Sequence, residues 1–153
     1  MRVLTLGLLL WGVLAGAAPG LAAEAEVIGS VKLSSGAAVV LRGEQVLPAQ
    51  PGLRLEPLDI LRTGADGTLG VMLRDDTRIS LGPGSEVVLD EFLFAPAQGE
   101  LSLVVRMVRG IVQFISGEIS KLAPERVRFE TPVGVVGIRG TRFLVKIEGE
   151  EAP

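Results

Sequence analysis

The stretch ETPVGVVGIRGTRFLVKI, residues 130–147, decides how the fold of this chain is interpreted. Three glycines at spacing three, Gly134, Gly137 and Gly140, interrupt an otherwise apolar run rich in β-branched residues. Glycine weakens the interior of a strand, so its presence there usually marks a bulge, a bend or a close backbone approach. The pattern therefore predicts a corner in the chain.

Beyond Gly140 the side chains alternate strictly between two faces, with Thr141 and Phe143 on one face and Arg142 on the other. Alternation with period two is typical of a strand that has one buried face. We interpret the stretch as two strand segments joined by a glycine-hinged corner, with Gly137, Gly140, Thr141 and Phe143 in structural roles. A core β-hairpin without chemistry is the plainest reading.

Working outward, turn signals divide the chain into about ten short strands, at the spacing typical of β-sandwiches. Hairpins are predicted around Arg42-Gly43-Glu44 and around Arg109-Gly110, and residues 116–125 read as a long polar connection. The sequence thus predicts an all-β domain, a sandwich of the jelly-roll kind, with a short β-helix as the rival. The predicted strands are Val27–Leu33, Ala38–Leu41, Gln45–Leu47, Asp59–Thr63, Thr68–Leu73, Thr77–Leu81, Glu86–Phe94, Leu101–Val108, Ile111–Ile115 and Val127–Thr131.

Residues 1–23 have the three parts of a secretory signal: Arg2, an apolar core at 4–14, and a segment of small residues ending at Ala23. The apolar run is shorter than the roughly 18 residues of a membrane helix. A lipoprotein anchor would need a cysteine, and the chain has none. We expect a cleaved, periplasmic or secreted protein that is not integral to the membrane, with residues 24–153 as a single domain. The alternative is an uncleaved N-terminal anchor.

The composition excludes several classes of site. Cysteine and histidine are absent, so a disulfide, a Ser-His-Asp triad and a His/Cys metal site cannot form within this chain. Residues 24–100 carry 12 acidic and 6 basic residues, whereas residues 101–147 carry 8 basic and 3 acidic residues. With a pI near 5.1 and no Lys/Arg cluster, nucleic-acid binding is not expected. No cofactor is expected either.

Few residues suggest chemistry. Asp75-Asp76 falls where a hairpin turn is predicted, and calcium would need more oxygen ligands than a loop here supplies. A phosphate cradle is rejected because a strand, and not a helix, follows the glycines. Arg139 and Arg142 flank the corner and are the candidate residues for binding a partner or an anionic ligand. No catalytic or metal-binding residue is predicted.

Three segments together resemble the FecR domain family. The passage LDILRTGADGTLGVMLRDDTRISLGPGSEVVLDEF, residues 58–92, is similar to its repeat-like core, and the Arg109-Gly110 element is similar to the one that follows. The ending TPVGVVGIRGTRFLV, residues 131–145, resembles its terminal signature, with Gly140, Thr141 and Phe143 on the strongest positions. Asp76 departs from the family turn, where glycine is usual.

The resemblance implies an exported β-domain that senses or binds and is not an enzyme. In the iron-transport signalling branch of the family, a cytoplasmic anti-sigma segment and one membrane helix precede this domain, so only the periplasmic part carries over to this chain. The leading hypothesis is contact with another envelope protein, by strand addition at an exposed edge. The alternatives are a module that binds an envelope glycan or anionic ligand and a carboxylate-dependent hydrolase.

Overall fold

The structure is a computed structural model that describes residues 26–138 and 140–148. Twelve β-strands dominate the described residues, together with one short helix, α1 (Glu118–Leu122), and two 3-10 turns. The strands are β1 (Gly29–Ser35), β2 (Ala38–Arg42), β3 (Gln45–Pro48), β4 (Arg54–Leu55), β5 (Ile60–Thr63), β6 (Thr68–Leu73), β7 (Arg78–Leu81), β8 (Glu86–Ala95), β9 (Glu100–Ile115), β10 (Val127–Thr131), β11 (Gly134–Gly137) and β12 (Arg142–Ile147).

The strands form one curled sheet whose two halves share the long strand β9. Half-sheet I runs in the order β4-β1-β6-β7-β9-β12 and uses the C-terminal part of β9. Half-sheet II runs β3-β2-β5-β8-β9-β10-β11 and uses the N-terminal part of β9. The two halves enclose a single hydrophobic core between them, as the two layers of a sandwich do.

The core is aliphatic, with a few phenylalanines. In three of the strands, the alternating apolar side chains are buried, as a strand with one buried face requires. They are Leu69, Val71 and Leu73 on β6, Ile79 and Leu81 on β7, and Val87 and Leu89 on β8. One cluster contains buried residues from both half-sheets, so each half covers the apolar face of the other.

The all-β prediction is confirmed. Ten of the eleven strand pairings among the described residues are antiparallel, and β9 with β10 is the parallel one. A β-helix of stacked parallel coils, the rival prediction, does not match this pairing. The hairpin around Arg42-Gly43-Glu44 is present as β2 and β3.

The second predicted hairpin, around Arg109-Gly110, is wrong. β9 runs without reversal from Glu100 to Ile115, and β8 and β7 lie successively along it. Gly110 has φ +95, and a Cβ there would collide with the backbone and side chain of Ser85. The Ser85 hydroxyl accepts a hydrogen bond from the N–H of Ile111 at 2.9 Å. Gly110 is therefore the point where one strand crosses from half-sheet II to half-sheet I, and not a turn.

The polar connection predicted at 116–125 contains α1, which the sequence pattern did not show. Its first turn is held by Asp75, whose carboxylate accepts the N–H of Ile119 at 3.2 Å and whose carbonyl accepts the N–H of Glu118 at 2.7 Å. The hairpin turn predicted at Asp75-Asp76 is confirmed, since β6 and β7 pair on either side of it. Asp76 has φ +66, a left-handed conformation that aspartate tolerates. No helix in the described part of the chain is long and apolar enough to cross a membrane.

Candidate functional site

The stretch at residues 130–147 contributes the free edges at one side of the molecule. β10 and β11 form a hairpin, and β11 pairs with no further strand among the described residues, so it ends half-sheet II. β12 pairs only with β9 in the described structure, so it ends half-sheet I. An edge strand presents unpaired N–H and C=O groups that another chain can use. Two such edges therefore follow each other along a stretch of fewer than twenty residues.

The predicted corner lies between these two strands. Gly140 has φ +105, a backbone conformation that residues with a Cβ atom rarely adopt, whereas Gly137 is not among the glycines with positive φ. Ser116 holds the corner in place: its hydroxyl donates to the carbonyl of Gly140 at 3.0 Å, and its N–H donates to the carbonyl of Thr141 at 2.9 Å. The corner is thus anchored to the end of β9.

The inner face of β12 is only half-buried. Phe143 stacks on Phe114 with a centroid separation of 5.1 Å and meets Phe129 edge-on at 5.3 Å. Phe114 and Phe129 are fully buried and belong to half-sheets I and II, so the three rings join the halves at this side. Thr141, which alternation placed on the same face, is exposed. The buried face expected for β12 is thus only partly covered.

The outer face of β12 carries Arg142, Leu144 and Lys146, all exposed. Arg142 forms no ion pair with any described residue, so the structure leaves its guanidinium available to solvent. Lys146 binds Glu148 at 2.9 Å, and this hydrogen bond raises the pKa of Lys146 and lowers the pKa of Glu148. Arg139, the other candidate residue, lies outside the described residues.

β11 offers an edge of a different character. Val133 is 92% exposed and Val135 is 62% exposed, and the strand itself, Gly134–Gly137, carries no charge. An open groove of about 570 Å³ lies beside it, and its lining includes Arg128, Val135 and Ile138. An uncharged, exposed edge next to a groove suits contact with another polypeptide.

The carboxylates that could have suggested acid–base chemistry hold the fold together. Asp59 is fully buried and accepts two hydrogen bonds from Arg42, at 2.9 and 2.8 Å, and one from the N–H of Glu56 at 2.9 Å. The hydrogen bond to Asp59 raises the pKa of Arg42, against the opposing effect of burial. A carboxylate that is enclosed and fully bonded in this way is not placed to exchange protons with a substrate.

Asp75 is the second such carboxylate. It is 1% exposed and accepts hydrogen bonds from the N–H and the hydroxyl of Thr77, in addition to the N–H of Ile119. Asp90, which precedes Glu91 in the sequence, accepts two hydrogen bonds from Arg106 at 2.8 and 3.0 Å. Within residues 26–138 and 140–148, no group of three or more acidic side chains is arranged to hold a metal ion.

Sequence reasoning missed three of these features. The capping role of Asp75 depends on a helix residue 44 positions further along the chain. The Arg42–Asp59 pair joins the end of β2 to the residue just before β5, and these two strands are not consecutive. The free edge at β12 was not visible either, because alternation gives the faces of a strand and not its neighbours. The glycine corner and the exposed Arg142 were the signals that the sequence did contain.

Comparison with known proteins gives one match. Residues 59–152 match the family model described as FecR protein. No curated protein and no solved structure matches the chain. The matched range begins after β4, but the strands before it belong to the same sheet. β1 pairs with β6 and β2 pairs with β5, and the two strands contribute Val31 and Val40 to the common core.

Proposed function

The chain belongs to the FecR family, and we propose that it is a non-enzymatic protein-interaction domain that takes part in signalling at the cell envelope. The family is associated with signalling and with contacts to envelope proteins, and it is not known for catalysis. The signal-like residues 1–23, which lie outside the described residues, support export of the domain to the periplasm.

The observation that carries the proposal is the pair of free strand edges, β11 and β12. An added strand gains main-chain hydrogen bonds from such an edge and specificity from the side chains that alternate along it. Binding at this position reaches both halves of the sheet, because β12 ends half-sheet I and β11 ends half-sheet II. A partner bound there contacts the last strand of each half-sheet.

Site-specific photo-crosslinking in intact cells of the source organism tests this proposal. A photo-reactive amino acid replaces Val135 on β11 or Leu144 on β12, and the matched control replaces Val46 on β3 at the opposite edge. The three side chains are 62%, 66% and 65% exposed, so their general reactivity is comparable. We expect a discrete protein adduct in the periplasmic fraction from Val135 or Leu144 and none from Val46.

Two outcomes contradict the proposal. Recovery of the chain only in the cytoplasmic fraction would exclude export, and adducts that are equally diffuse at all three positions would exclude a specific edge. The anionic-ligand alternative, with Arg139 and Arg142 as the binding residues, stays a prediction. It differs in its expected result, because a small anion gives no protein adduct at any of the three positions.

A further inference from the structure

β12 is long enough to select a partner strand by its sequence. It extends over six residues, Arg142–Ile147, and pairs on one side with β9 in continuous antiparallel register. Its other side pairs with no strand in the described part of the chain. A strand added there would therefore meet an uninterrupted row of side chains on each face, with neighbouring Cβ atoms about 4.5–5.5 Å apart.

The two faces of β12 differ in chemistry. The outer face reads Arg142, Leu144, Lys146, which is a basic, apolar and basic side chain in order. The inner face consists of Phe143, Val145 and Ile147, and these half-buried residues are packed against the core. On the inner face, an added strand would extend the core with its own apolar side chains. On the outer face, its side chains would lie opposite Arg142, Leu144 and Lys146, of which the first and the last are cations.

The surroundings of β12 increase this positive charge. One row of cross-strand neighbours on the outer face of half-sheet I contains three arginines and no carboxylate in the described strands. In order across the sheet, the row is Arg54, Ser30, Met72, Arg78, Ile115 and Arg142. The carboxylate that does reach the outer row of β12 is Glu148, which binds Lys146.

A second copy of this chain is a poor occupant of the edge when the two β12 strands pair about Leu144. Antiparallel pairing of two β12 strands about Leu144 would place Arg142 of one copy opposite Lys146 of the other. Like charges directly opposite each other destabilise a strand pair, and charged side chains on an edge are a common protection against self-association. The charge on this edge therefore selects a different, acidic partner.

We propose that β12 binds an extended acidic segment of a partner protein, in which two carboxylate side chains flank a central apolar residue on one face. The pattern is acidic-x-apolar-x-acidic, with apolar residues at both x positions, and it fits β12 in either strand direction because it is symmetric. Its carboxylates face Arg142 and Lys146, where they replace Glu148, and its inner residues cover Phe143 and Val145. This inference rests on the proposed function and adds the chemistry of the partner.

Two synthetic peptides of otherwise identical design test the inference with the purified exported chain. One has the central sequence Glu-Val-Leu-Val-Glu, the other has Lys-Val-Leu-Val-Lys, and both carry neutral Gly/Ser ends. We expect the acidic peptide to bind at least about tenfold more tightly, a difference of about 1.4 kcal/mol, and its binding to weaken as salt is added. Hydrogen exchange followed by NMR is expected to show new protection at amides of β12 and not of β11.

The double variant Arg142→Glu/Lys146→Glu is expected to reverse the preference in favour of the lysine peptide. The control is Lys32→Glu, a single charge reversal at an exposed lysine of β1, four strands away from β12 and outside the basic row described above. Lys32 forms no ion pair with a described residue. This control is expected to keep the preference for the acidic peptide. Circular dichroism confirms that each variant is folded.

Equal affinity for the two peptides, no measurable binding of either, or the same loss in Lys32→Glu would overturn the inference. The result is separate from that of the crosslinking experiment. A discrete adduct at Val135 or Leu144 together with peptides that do not discriminate would leave the proposed function standing and remove the acidic partner. Acidic-peptide binding to β12 without any adduct in cells would remove the proposed signalling contact instead.

Discussion

Phe143 has two buried partners but lies at an edge, and this position sets its contribution to stability. Its ring stacks on Phe114 and meets Phe129 edge-on, while part of its surface stays open to solvent. We expect Phe143→Ala to lower the free energy of unfolding by about 2 kcal/mol, below the roughly 3–5 kcal/mol typical of a fully buried phenylalanine. Denaturant unfolding of both proteins measures the difference.

Phe114→Ala is the matched comparison, because Phe114 is the cross-strand neighbour of Phe143 and is fully buried. Its loss is expected to be in the full range of about 3–5 kcal/mol. A near-zero effect at Phe143, or an effect equal to that at Phe114, would contradict the half-buried packing. The alternating sequence did predict the inner face of β12, but it could not give the extent of burial, because that depends on whether another strand lies beside it.

β9 is the element that the sequence described least well. Its inward side chains change phase, from Leu103, Val105 and Met107 to Val112 and Phe114. A hairpin and a bulged crossing both produce such a change next to a glycine. Ser85, 25 residues before Gly110 in the sequence, decides between them. It lies directly against Gly110, and its hydroxyl accepts a hydrogen bond from the N–H of Ile111. Local pattern therefore gave the strand faces correctly and the connection wrongly.

Gly110→Ala tests the crossing within β9. The substitution combines the strain of an alanine at φ +95 with a collision against Ser85, so we expect a loss of about 3 kcal/mol or more in the free energy of unfolding. Gly99→Ala is the matched control, since Gly99 has φ +70 but open space around its Cα, and its expected loss is about 1 kcal/mol. Thermal and denaturant unfolding measure both variants, and equal losses would argue against the close contact.

At the scale of the whole molecule, the N-terminal strands β1 to β4 are part of the same sheet as the C-terminal strands. The family match begins at residue 59, but β1 lies between β4 and β6, and β2 lies between β3 and β5. β1, β2 and β3 were predictable from alternation and turn residues, whereas the two-residue strand β4 was not predicted. The order of the strands was not, because non-consecutive strands become neighbours through core packing and not through any local signal.

The shared strand and the common core predict that the two half-sheets unfold together. β9 belongs to both halves, and buried residues of both form one cluster, so neither half keeps a covered apolar face when the other opens. We expect a single two-state transition, with calorimetric and van't Hoff enthalpies that agree. Amide hydrogen exchange at Val105 in half-sheet II and at Val112 in half-sheet I is expected to report the same opening free energy.

A reciprocal pair of substitutions makes this test specific. Leu69→Ala removes a buried side chain from half-sheet I, and Leu61→Ala removes one from half-sheet II, each at an expected cost of about 2–5 kcal/mol. If the halves are coupled through β9, each substitution lowers the opening free energies at Val105 and Val112 by the same amount. A drop confined to the amide in the substituted half would show that the halves open independently, and it would exclude a coupled response of both halves to a partner bound at β11 or β12.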